Sequence, residues 1–93
     1  MNPTESSEVS LTQDWICEVL SSSTAKDDRT IKMPLYAQHR TGHLWLVDPL
    51  LKTLEAYELR QEKWSLLTVL KDDDQVRIAP FDTIEFSLSV LWA

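Results

Sequence analysis

Residues 13–32, QDWICEVLSSSTAKDDRTIK, decide how the rest of this chain reads. The stretch opens as an apolar run with two acids inside it, Asp14 and Glu18, passes through a hydroxyl-rich turn and enters a basic segment ending at Lys32. Aromatic and branched residues from Asp14 to Leu20, closed by a Ser cluster, predict a strand. Alternation sets Trp15, Cys17 and Val19 on one face and Asp14, Ile16, Glu18 and Leu20 on the other. Both faces are largely apolar, so the strand is expected to be central and covered on both sides, with Cys17 an inert core thiol. A carboxylate among apolar neighbours is costly unless something uses it, which makes Glu18 the sharpest functional candidate.

Outward from that strand, Ser21–Thr24 is a turn rich in helix caps, and Thr24 with Asp27 resembles a capping box. A helix over about 24–41 should follow, with Gly42 as its C-terminal cap and a kink or fresh start at Pro34. A roughly continuous helix puts Arg29, Lys32 and Tyr36 on one side. His43–Asp48 is a second strand, adjacent and parallel to the first, ended by Pro49. Strands 53–60 and 64–71 form a hairpin about 61–63, followed by short strands near 76–78 and 83–88 and a final helical turn. Met1–Thr12 is polar and aperiodic, an expected flexible lead-in, so the domain proper is 13–93. The fold class is α/β (α+β), a mixed sheet with one main helix packed on it.

Composition narrows the function classes. Ninety-three residues make one domain at most. The apolar runs are far short of a bilayer span, and the acidic start MNPTESSEV is no secretory signal. A single cysteine makes no internal disulfide and suits a reducing, cytoplasmic setting. The net charge of −6 argues against broad non-specific nucleic-acid binding. Its distribution is uneven: residues 24–40 carry Lys26, Arg29, Lys32 and Arg40 against Asp27 and Asp28, and form the net-positive segment. A metal near the strand acids and a polyanion near these bases would suit that pattern, although on charge alone a solvated basic helix face is the preferred reading.

Other candidates have simpler explanations. Asp14 lies at the strand mouth, where an acid is usually a solvated end or a cap. Lys32 could stand against a phosphate or a metal-bound water, and otherwise is a surface lysine. Asp48 before Pro49 is a turn residue, His39 and His43 fall on different elements, and Asp72–Asp74 is a solvated turn without EF-hand spacing. Trp15, Trp45, Trp64 and Trp92 are spread one per element, which points to core anchoring and not to a base-stacking platform.

The order of pieces carries a resemblance. QDWICEVLSSST, DRTIKMPLYA, HLWLVDP, TLEAYEL, VRIAPFDTIEFSL and VLW together resemble the Uma-type family of restriction-endonuclease proteins, in the PD-(D/E)XK nuclease superfamily. The likeness runs from about Leu11 to the C-terminus. It implies Mg²⁺-dependent cleavage of DNA phosphodiesters, with Mn²⁺ as a substitute, in a restriction-endonuclease-like mixed sheet. On this resemblance Glu18 matches the family's strand acid and would be a metal ligand. Lys32 matches the lysine of the D-R-x-x-K helix and would be catalytic, and Asp14 matches the Asp of a Pro-Asp pair just upstream. Gln13 and Ser22 replace family prolines, and Arg40 stands where members often have Gly. Family members also carry an N-terminal half with a further metal-binding Asp. The chain therefore resembles the C-terminal half of the domain, expected to be weak or inactive alone, with one sheet edge exposed. Two partners would suit that edge, a second copy of the chain or a complementing N-terminal fragment. The rival is a non-catalytic interaction module that pairs through the same edge.

Overall fold

The computed structural model describes residues 14–92; the lead-in expected over 1–12 lies outside them. Strand β1, Trp15–Val19, pairs in parallel with β2, His43–Asp48. Strand β3, Thr53–Arg60, and β4, Lys63–Lys71, continue the sheet antiparallel, in spatial order β1-β2-β3-β4. The parallel pair needs a crossover, and a helix supplies it. Two short strands, β5 at Gln75–Val76 and β6 at Phe86–Ser87, form a separate ladder, followed by a 3₁₀ turn at Leu88–Leu91. They are shorter than the strands expected at 76–78 and 83–88.

The crossover helix, α1, spans 25–38 in three abutting pieces. Ala25–Asp27 and Met33–Gln38 are α-helical, and the intervening Asp28–Lys32 is a π-helical turn. Pro34 accounts for the position of that turn. Its ring would crowd the carbonyl four residues back, and it offers no N–H to the ladder. One widened turn before it, closed by Met33 N–H donating to Asp28 C=O, absorbs the mismatch. The predicted capping box does not form: Thr24 makes no side-chain bond to the helix, and its Oγ1 accepts from Ser21 N–H at 3.2 Å instead.

Gly42 does not cap this helix either. Thr41 N–H donates to Tyr36 C=O and Arg40 N–H to Ala37 C=O, both at 3.0 Å, with Arg40 at φ 62°. That is a Schellman ending whose left-handed residue is Arg40. Gly42 serves a different need: a Cβ there would meet the Asp14 carbonyl oxygen at 3.3 Å, so a small residue lets the strands begin side by side. With one glycine in the whole chain, Arg40, Lys52, Gln61, Glu62 and Asp72 all take positive φ. Gln61–Glu62 form the two-residue turn of the β3–β4 hairpin, one residue tighter than expected.

Two cores sandwich the sheet. On one face Trp45, Val47, Leu54 and Ala56 pack with Val76, Ile78 and Leu88, joined by Trp15, Phe86 and Trp92. Trp15, Trp45 and Phe81 meet edge to face, with ring centroids 4.9–5.8 Å apart. On the other, Leu20, Leu44 and Leu46 pack under α1 with Ile16, Met33, Tyr36, Tyr57 and Trp64. Trp64 Nε1–H donates to Met33 C=O at 2.7 Å and pins the helix over β4. The expectation of a central first strand is corrected. Among the described residues β1 is an edge, and Cys17 and Val19 are exposed where core was expected. On that face Cys17 and Val19 line an open groove with Trp45, Leu91 and Trp92.

Non-glycine residues in left-handed turns are strained. Arg40→Gly and Glu62→Gly should each stabilise the domain by about 0.5–1 kcal/mol, the relief of the left-handed penalty less the added freedom of the unfolded chain. Urea denaturation of each variant measures this; no gain at either position would contradict the turn assignments.

Candidate functional site

Strand register builds the site. Glu18 lies beside Leu46 and Leu46 beside Glu55, so two carboxylates flank a buried leucine in one row on the helix-facing side of the sheet. Helix α1 crosses above that row and answers each acid with a base. Lys32 Nζ is 3.5 Å from Glu18 Oε1 and 3.1 Å from Asp28 Oδ1. Arg29 grips Glu55 through both oxygens, each bond 2.9 Å. The phenol of Tyr36 donates to Glu18 Oε2, and that of Tyr57 to Glu55 Oε1 at 2.6 Å. The predicted common side of Arg29, Lys32 and Tyr36 is the side that meets the sheet.

Asp28 is the residue that sequence reasoning passed over. Its side chain is only 2% exposed, while Lys32, one turn on, is 45% exposed. The buried Oδ1 has the Lys32 ammonium near it but no aligned hydrogen-bond donor. A signal was available in the motif itself: Asp28 opens DRTIK, four residues before the lysine, the spacing that puts both on one helix face. Asp14 is not part of this group. It lies four residues before Glu18, about 13 Å along an extended strand, with an exposed side chain. Its backbone carbonyl accepts from His43 N–H at 2.9 Å and helps to start the β1–β2 pair.

Electrostatics follow from these contacts. The close contact with Asp28 and the charges of Glu18 and Asp28 raise the Lys32 pKa, so its ammonium keeps its proton. Burial, and then the hydrogen bond to Glu18, push the Tyr36 phenol up to about 12. Arg29 holds the Glu55 carboxyl below the ordinary range, against the upward effect of burial, and Glu55 in turn raises the Arg29 guanidinium. Among the described residues no three His, Cys, Asp or Glu side chains gather as a metal cage. The donors that are present are hard carboxylate oxygens, on Glu18 and Asp28. They fit Mg²⁺, which binds through one or two carboxylates and keeps several waters.

Comparison with known proteins now adds the family. The Uma2 family profile, described as "Putative restriction endonuclease", matches residues 4–90. The chain belongs to the Uma2 family. No curated protein matches it. Among solved structures it is similar to a protein of Anabaena variabilis described as a "putative nuclease belonging to DUF820", with TM-score 0.64 and 25% identity. The match covers 87% of this chain and 44% of that one, so this Uma2 chain spans less than half of its structural neighbour. The nuclease-like α+β fold agrees with the expectation drawn from the sequence. Among the described residues no helix is long and apolar enough to cross a membrane.

Tyr36 reports on the cluster. Its folded pKa is raised, so its stabilising share is full below about pH 10 and is lost as pH rises toward 12. In a Tyr57→Phe background the remaining tyrosine should ionise near pH 12, and adding Glu18→Gln should bring its midpoint down. Tyrosinate absorbance measures both midpoints; equal values in the two proteins would dissociate Tyr36 from Glu18.

Proposed function

We propose that this Uma2 chain carries part of a divalent-metal DNA endonuclease site, made of Glu18, Asp28, Lys32 and Tyr36. The observation that carries the reading is one ammonium, Lys32, held between two carboxylates on a nuclease-like sheet. Glu18 and Asp28 would hold Mg²⁺, or Mn²⁺ in its place, and the metal when bound would activate water and offset charge on the phosphate. Lys32, kept protonated by its acids, faces solvent and can approach a phosphate oxygen, where a cation counts most as negative charge develops. Tyr36 orients Glu18 by fixing one of its two oxygens. Arg29 and Glu55 position the helix and do not meet the phosphate.

Asp28 takes the place first considered for Asp14, because it shares Lys32 with Glu18. Two carboxylates hold a metal loosely, so the chain alone is expected to cleave DNA weakly or not at all. The structural neighbour is about twice this length, which leaves room there for a further ligand. The second reading, a non-catalytic module that pairs through a sheet edge, is favoured by the edge of β1 that is unpaired among the described residues.

Plasmid nicking with Mg²⁺ or Mn²⁺ tests the site. Any cleavage should fall at least tenfold in Glu18→Ala, Lys32→Ala and Asp28→Asn, and should be unchanged in Asp14→Asn. Cleavage that survives the first three substitutions would remove these residues from the chemistry.

A further inference from the structure

A phosphate is the proposed target of Lys32, yet its ammonium stands against the oxygens proposed to hold the metal. Nζ lies 3.5 Å from Glu18 Oε1 and 3.1 Å from Asp28 Oδ1. Glu18 has committed Oε2 to the Tyr36 phenol, which leaves Oε1 for a cation. Asp28 is buried, and its Oδ1 has no aligned hydrogen-bond donor, so an oxygen with acceptor capacity to spare faces the same gap. Mg²⁺ binds about 2.0–2.1 Å from its oxygens and brings several waters with it. An ammonium in contact with both carboxylates stands in the space that such an ion and its waters require.

From this we infer that the Lys32 ammonium and a divalent ion compete for Glu18 and Asp28. Lys32 is the counter-ion of the two carboxylates until a metal enters, and metal entry releases it outward, where it can meet a phosphate. The inference rests on the nuclease reading of the cluster and adds an order of events to it: the metal arrives first, and the freed lysine follows onto the substrate. It also assigns the lysine a second task, which is to set how much metal the site requires before it loads.

Burial and mobility single out Lys32 for exchange. A buried carboxylate stripped of its partner is strongly unfavourable, so Asp28 needs a cation of one kind or the other. The fold supplies its own, one helical turn away. Lys32 can also leave, because its side chain is 45% exposed and swings on a flexible four-carbon stem. Arg29, the other base that the π turn brings to the sheet, cannot take its place: two bonds of 2.9 Å hold it on Glu55. A doubly charged ion attracts the pair of carboxylates more strongly than an ammonium does, so exchange proceeds once enough metal is present.

Free Mn²⁺ counted by electron paramagnetic resonance gives the metal affinity of the full chain without any cleavage. The binding that Glu18→Ala removes should be about tenfold tighter in Lys32→Met than in the parent, the weight of one unit charge at a part-exposed position. The same variant should cleave less, so affinity and activity move in opposite directions. If Lys32→Met does not fold, the parent chain decides: the ammonium resonance of Lys32 should move toward that of a free lysine as Mg²⁺ is added. Equal or weaker binding by a folded Lys32→Met would overturn the competition and leave the nuclease reading in place. So would an ammonium resonance that stays put while Mg²⁺ shifts the amides of Glu18 and Asp28. Mn²⁺ binding that Glu18→Ala leaves intact in both parent and Lys32→Met would overturn the competition and the nuclease reading together.

Discussion

The molecule depends on how it accommodates the Glu18 carboxyl group on the covered side of a sheet. A carboxylate placed beside Leu46 and under a helix gains only if its oxygens find donors. Helix α1 delivers two of them, Lys32 to one oxygen and Tyr36 to the other. The same helix answers Glu55 with Arg29. These contacts orient the helix more than they stabilise it, since exposed ion pairs contribute at most about 1 kcal/mol each. The stability comes from the leucines and aromatics between them, and the charges fix which turn of the helix lies over which strand.

That registration depends on a local irregularity. A uniform α-helix from 25 to 38 would meet Pro34 with a clash and a missing donor. The π turn at Asp28–Lys32 removes the conflict, and the three charged residues that the helix brings to the site, Asp28, Arg29 and Lys32, all lie within it. Asp28 is buried there while Lys32 reaches outward, a division that brings one ammonium to two carboxylates. A local departure from ideal geometry thus coincides with the candidate cluster, and single π turns often mark functional sites.

Much of this was legible in the sequence. The strand at Trp15–Val19, its parallel partner and the hairpin followed from alternation and breakers, and Glu18 and Lys32, singled out by placement and by the order of motifs, lie 3.5 Å apart. The misses have physical causes. Cys17 and Val19 look like core by composition, but no described element covers that face at the open edge, and strand pattern alone does not reveal how far a covering layer extends. Arg40 took the left-handed ending because the Schellman hydrogen bonds require that position, whatever residue occupies it. Asp28 was hidden because two acids stand side by side at 27 and 28, and the sequence does not say which of them the π turn faces inward.

Manganese titration followed by amide resonances tests the central claim most directly, since the paramagnetic ion broadens signals near where it binds. Broadening should centre on Glu18, Asp28 and Lys32, and should vanish in Glu18→Ala while the spectrum otherwise keeps its fold. Broadening confined to the acidic turn at Asp72–Asp74, and unchanged by that substitution, would contradict the assignment of this cluster as the metal-binding part of a nuclease site.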